Sequence, residues 1–468
     1  MTTASHEVSE IDANARFPLS LILGSALLWL IVSGVLALLS YAQALNPRLL
    51  EDCAYFSFGR TRAMQETAFI YGWVANAGFA VSLWILGRLG GAPLRSLNWA
   101  VVGNLFWNLG VLVGLIGIGM GDGTSTPFLH LPHYVQPLLL VTFCAIAIPG
   151  VLAWTGRKHK TAFAAQWYAI AALFLFPWLF SAAQLMLVWF PVRGTVQAIA
   201  SGWFLQGAWT LWIAPMALGA AYYLVPKING RVIPSYDFAS LSFWTLLVVG
   251  GWTGGRHLIG GPIPAWVATI AIVSCAMLAF HYIVTAINLR GAFGHQSVSL
   301  KFISFGLLAY VIGGFADAAT ALRSVAEFTQ FTWVSQAQTQ LALTGAFSLI
   351  IFGAIYFLVP RIANQAWPSA PLIRAHYAAA LLGTAVLVIS LAIAGVVQGR
   401  DLADASISFS DIAAHTRPWL LVAAAAQAVL LIGNIILALH FSRIIAAKPA
   451  VAAENLFVQA PKMEASVS

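Results

Sequence analysis

The chain has 468 residues, 60% of them hydrophobic and only 8% charged, against about a quarter charged in a water-soluble domain. That balance excludes a soluble enzyme and points to a protein that crosses a membrane many times. The net charge of +8 requires no nucleic-acid partner, because Lys and Arg gathered in the loops on one side of a bilayer produce the same excess.

A lipid-facing helix needs about 20 apolar residues, since hydrocarbon offers its backbone no hydrogen-bond partner. In chain order such windows fall at approximately 17–43, 64–88, 97–121, 132–154, 162–189, 196–225, 237–258, 265–288, 300–322, 334–359, 376–397 and 418–442. They predict an all-α fold, a bundle of twelve membrane-spanning helices occupying residues 17–443. Residues 1–16 read as a polar tail; Glu7, Glu10 and Asp12 fit no cleavable signal peptide, so the first window stays as the first span. Residues 444–468 read as a second tail, mobile from about Pro449. Twelve spans put both termini on one side, and fifteen of the 23 Lys and Arg residues fall on that side, which predicts cytoplasmic termini. Cys53, Cys144 and Cys275 are too scattered for a disulfide framework or a thiolate metal motif.

Polar side chains at membrane depth carry the functional information, because each costs a few kcal/mol unless it has a partner or a cavity. Gln65 and Glu66 open the second window, Gln206 lies in the sixth, and Arg256 and His257 close the seventh. Asp317 and Arg323 lie in the ninth, and Gln336, Gln338 and Gln340 begin the tenth. They either make scattered interhelical hydrogen bonds or surround one internal site. His133, His281 and His440 have no second histidine at i+3 or i+4 and read as packing or hydrogen-bonding residues, while His159 belongs to a solvated basic loop, RKHK.

Three stretches carry a resemblance. FGRTRAMQETAFIYGWVANAGFAVSLWILGR (58–88), the run from Trp203 to Trp266 with its YYLVP ending, and LTGAFSLIIFGAIYFLVPRI (343–362) resemble subunit I of haem-copper oxygen reductases, specifically the cbb3-type cytochrome c oxidases. The resemblance implies a twelve-helix subunit I bundle in a bacterial inner membrane. It also implies two b-type haems and one copper held by six histidines, because haem iron and cupric copper take imidazole nitrogen as a strong ligand.

The residues that match those positions are mostly not histidine. Gln65 stands at the haem-ligand position of the second span, and Gln338 and Gln340 stand at the two of the tenth. The copper-ligand positions read Ala208, Arg256 and His257; the position of the family's redox tyrosine reads Gly250, and Ala316 stands where the family carries a glutamate. No histidine occurs between His295 and His376, so the absence in the tenth span holds in any register. A glutamine offers a carbonyl oxygen and an NH2 group, suited to bonds between helices and poor at holding iron. Gln65 and Gln340 are expected to meet directly or through water, and Arg256 to pair with Glu66 or Asp317.

The expected function is therefore that of a non-catalytic subunit I relative, without haem or copper. Gln65, Glu66, Arg256, His257, Asp317, Gln338 and Gln340 would form its polar core. Its partners would be the bilayer and other respiratory subunits, membrane-anchored cytochrome c among them, with no nucleic acid. The eighteen tryptophans would anchor at interfaces and fill the space left by haem. Two alternatives follow from the same residues. One is an active cytochrome c oxidase that recruits His133 or His281 as ligands beside His257. The other is a transporter whose emptied core is lined by Glu66, Asp317 and Arg323.

Overall fold

A computed structural model describes residues 3–446, all of the regular structure being helical. The end of the predicted C-terminal tail, from 447 onward, lies outside the described residues. Each predicted window contains a helix: α1 (Glu7–Leu45), α2 (Phe58–Gly90), α3 (Leu97–Met120), α4 (Gln136–Thr155), α5 (Ala164–Trp189), α6 (Thr195–Asn229), then α7 (Tyr236–Gly250), α8 (Ala265–Asn288), α9 (Val298–Thr320), α10 (Trp333–Ala363), α11 (Ala370–Leu402) and α12 (Phe409–Ala446). Eleven of these are long and apolar enough to cross a bilayer. The exception, α7, has 15 residues and a length of about 22 Å.

Local chemistry sets the ends. Ser235, Thr332 and Ser369 accept backbone N–H groups with their side chains at the starts of α7, α10 and α11, satisfying donors that have no partner within the helix. Residues read as an N-terminal tail instead continue α1, because Asp12 is drawn into the bundle: its carboxylate accepts from Trp84 Nε1 at 2.9 Å and pairs with Arg88 at 2.9 Å.

Hydrogen bonds sort the loops to two ends of the bundle. At the end holding the N-terminus, Arg88 meets Asp12, Lys158 meets Glu7, and Ser369 N donates to His440. At the other end, Arg60 donates to Gly119 O, Phe128 N to Glu66, and Gln330 to Arg256 O. The polar residues singled out above gather at this second end.

Three helices form the centre. In their most apolar stretches α2 and α6 are 94% buried and α10 is 83% buried, against 39–56% for the other long helices. Each departs from α-helical geometry in a π-helical stretch: Ala68–Val74 in α2, Ala208–Ile213 in α6 and Leu341–Ser348 in α10. These begin within three residues of Gln65, at Ala208, and directly after Gln340, three of the four places where the family's ligands were expected. Trp73 Nε1 donates to Ser348 Oγ at 2.9 Å, tying the π-helical turns of α2 and α10 together.

The predicted seventh span, 237–258, is corrected. Its helix stops at Gly250, and Thr253–Leu258 form a separate 3-10 turn. The cause is a close backbone approach: a Cβ on Gly254 would lie 2.4 Å from the carbonyl oxygen of Gly202 in α6. Only glycine permits that contact, and it fixes the turn bearing Arg256 and His257 against α6. Gly254→Ala is expected to lower stability by about 1–3 kcal/mol, as overpacking does, measured as a drop in the unfolding midpoint in detergent. An unchanged midpoint would show that the contact opens freely.

Candidate functional site

The polar residues divide into two neighbouring clusters. The first lies where α6, α9 and α10 face the Thr253–Leu258 turn. Arg256 Nη1 stands 3.0 Å from Asp317 Oδ1, with side chains 10% and 18% exposed. Of the two partners expected for Arg256, the structure selects Asp317. Gln338, one turn into α10, donates through Nε2 to Thr320 Oγ1 at 2.7 Å, and Gln330 Nε2 donates to Arg256 O at 2.7 Å. Gln206, Arg256, His257, Asp317 and Gln338 all line one cavity, with Trp209 as an aromatic wall. His257 Nε2 and Arg256 Nε are buried there without a hydrogen-bond partner. An ion pair this buried is strongly destabilised if one partner is removed, by about 3–5 kcal/mol, since the other charge is then left alone.

The second cluster lies between α1, α2, α10, α11 and α12. Gln65, Gln336 and Gln340 face a cavity of about 40 Å³ together with Arg62, Thr384 and Asn434, room for one or two waters. Gln65 and Gln340 both line this space. The carbonyl of Gln340 nevertheless accepts from the Thr344 hydroxyl at 2.7 Å, and that of Gln336 from Arg62 Nη2. Glu66 sits at the cavity's edge but turns toward the loop between α3 and α4. Its Oε1 accepts from Phe128 N at 2.9 Å and lies 3.6 Å from His130 Nε2. The same loop is pinned from below by Tyr71, whose hydroxyl donates to Phe128 O at 2.7 Å.

Several expectations change. Arg323 is exposed and outside α9, which ends at Thr320; it donates to Thr269 Oγ1 at 3.1 Å. Glu66 and Asp317 line different cavities, so the three charges of the transporter reading do not share a chamber. His133 lies exposed on the loop before α4. His281 is fully buried with both ring nitrogens engaged, Nδ1 at 2.8 Å from Ser242 Oγ and Nε2 at 2.8 Å from Tyr310 OH. Gly250 packs so tightly that a Cβ would meet Thr210 Cβ at 2.8 Å, leaving no room for a tyrosine. Among the described residues no three His, Cys, Asp or Glu side chains group as a metal site. Trp209 alone of the buried tryptophans lines the first cavity; Trp107 and Trp212 pack instead around Phe176, between α3, α5 and α6.

Arg62, Phe128, His130 and Thr320 were not anticipated as partners, since loop and helix meet only in the folded bundle. Gln427 and Asn434 were legible: seven residues apart, they mark one polar face on the otherwise apolar stretch 418–439 of α12, and both line the second cavity.

Comparison with known proteins places this geometry. The sequence matches the family described as Cytochrome C and Quinol oxidase polypeptide I over residues 19–429. It is 26% identical over 443 residues to the cbb3-type cytochrome c oxidase subunit CcoN1 of Stutzerimonas stutzeri, covering 90% of this chain and 93% of that one. It is 23% identical to cytochrome c oxidase subunit 1 of Rhodobacter capsulatus, covering 86% and 80%. A solved heme-copper terminal oxidase dimer superposes with a TM-score of 0.70 at 15% identity, over 92% of this chain and 85% of that one, a likeness of fold.

The loop latch carries a pH dependence. Burial opposes a charge on His130, but Glu66 outweighs it and, with the Thr124 carbonyl, raises the imidazole above its ordinary 6.5 while Arg62 works against it. Because the folded value lies above the unfolded one, the pair's contribution is fully present below pH 6.5 and is lost as pH rises through the folded value. The unfolding midpoint should therefore fall between about pH 6 and 9 in the wild type and fall less in His130→Gln. Parallel pH profiles for the two proteins would exclude the latch.

Proposed function

Since the chain belongs to the cytochrome c and quinol oxidase polypeptide I family, we propose that it is a subunit I-like membrane component of a respiratory electron-transfer complex that carries no oxygen-reducing centre of its own. Its role is structural, or in assembly, beside a catalytic subunit and membrane-anchored cytochrome c. It sits in the bacterial inner membrane with both termini cytoplasmic.

The observation that carries this reading is the bonding state of the residues at the family's ligand positions. Haem iron in such a bundle would take imidazole from α2 and α10. Here those helices present Gln65, Gln338 and Gln340, and the last two spend amide atoms on Thr320 and Thr344. The cavity between Gln65 and Gln340 is of water size. At the copper positions Ala208 has no donor atom, and Arg256 brings a fixed positive charge to Asp317, which repels a metal cation. His257 remains, one ligand where a copper site needs several. The residues present do not fit either group, and no reaction step is derived through them.

The active-oxidase alternative requires nitrogen ligands from elsewhere, and His281, the most buried candidate, has both nitrogens committed to Ser242 and Tyr310.

Purified protein should show no Soret band and no stoichiometric copper, and membranes containing it as the sole subunit I-like protein should not consume oxygen with reduced cytochrome c as donor. A stoichiometric b-haem spectrum would sink the proposal. Affinity purification should retain other respiratory subunits in fixed ratio; recovery as a lone chain under mild detergent would remove the structural role.

A further inference from the structure

The cavity lined by Gln206, Trp209, Arg256, His257 and Gln338 has a volume of about 140 Å³. It shares Arg256, His257, Ser335 and Gln338 with a second chamber of about 260 Å³ that runs out past Gln330 and Phe331. Phe331 is 89% exposed, so the outer chamber reaches the surface at the end of the bundle opposite the N-terminus. The two chambers make a route from that face to the centre of the molecule.

Hydrogen-bond accounting along this route leaves a specific deficit. The Gln338 amide nitrogen is committed to Thr320 and the Gln330 amide nitrogen to the Arg256 carbonyl. One arm of the Arg256 guanidinium is committed to Asp317. Its Nε–H and the Nε2 of His257 are buried without partners, and each unmade bond of this kind costs about 1–3 kcal/mol. Arg256 and His257, adjacent in sequence, both line the two chambers; the guanidinium Nε–H wants an acceptor, and so does His257 Nε2 in its N–H tautomer. The opposite wall is apolar, formed by Phe128, Leu205 and Trp209.

We propose that this two-chambered cavity is a binding site for a small carboxylate, one oxygen taking the Arg256 Nε–H and the other an Nε2–H of His257, with a short apolar chain against Trp209 and Phe128. A carboxylate suits the site better than a neutral carbonyl because bonds to a guanidinium are charge-assisted and roughly twice as strong. Asp317 holds the guanidinium in place by its other arm. The inference rests on the reading that no haem or copper fills this region, which the absorbance spectrum of the same preparation tests separately.

The test is ligand-observed NMR of acetate and propionate with the purified full-length protein in detergent, acetamide serving as the neutral comparison. Saturable binding of both carboxylates is expected, propionate the tighter of the two, with acetamide at least about tenfold weaker. Arg256→Lys keeps the charge facing Asp317 and removes the Nε–H; His257→Phe keeps the ring volume and removes the nitrogen. Each should weaken propionate about tenfold while the unfolding midpoint stays near that of the wild type. Absent saturable binding in the wild type overturns the proposal, whatever the variants do. Equal binding of acetamide, or wild-type affinity in both variants, overturns it as well. A metal-free spectrum with no carboxylate binding would leave the proposed function standing and remove this inference alone.

Discussion

Arg256 and Asp317 hold opposite charges 3.0 Å apart, largely buried toward one end of a bundle built almost wholly from apolar residues. In hydrocarbon neither charge could stand alone, so the pair dictates how α9 and the turn after α7 approach each other. The same requirement governs the neutral groups around it. Gln338 is matched by Thr320, Gln340 by Thr344, Gln336 by Arg62 and Glu66 by the Phe128 amide. Each bond joins a helix to another helix, to its own next turn or to a loop, and together they set the register of α2 and α10 across the core.

The backbone of the central helices is adapted to the same place. Three π-helical stretches begin at or just after Gln65, Ala208 and Gln340. A π-helical turn widens the helix, and such turns are frequent at functional sites. Here the side chains at these turns are amides and an alanine. The overall fold is that of a solved heme-copper terminal oxidase, with these bonds inside it.

How far the sequence could be read depends on which interactions are local. Apolar windows of about 20 residues located all twelve helices, because burying backbone polar groups in lipid is a constraint each segment meets alone. That residues 65, 338 and 340 are glutamines, and that no histidine lies between His295 and His376, was likewise legible, since residue identity does not depend on register. The seventh helix was overextended because its early stop is enforced by a contact with Gly202, fifty residues away in the chain. Arg323 was misplaced for a related reason: α9 gives way after Thr320 to a loop and a short helix, Arg323–Thr329, that apolar content alone does not announce.

The sequence by itself determined an all-helical membrane bundle, the family it belongs to and the amide side chains at Gln65, Gln338 and Gln340, because composition, span length and residue identity do not depend on where the chain goes. Only the tertiary structure decided that Arg256 takes Asp317 while Glu66 takes the loop at Phe128 and His130, and that the polar residues fall into two cavities. Pairing between buried charges depends on distances of a few ångströms, and those exist only once helices far apart in the chain are packed together.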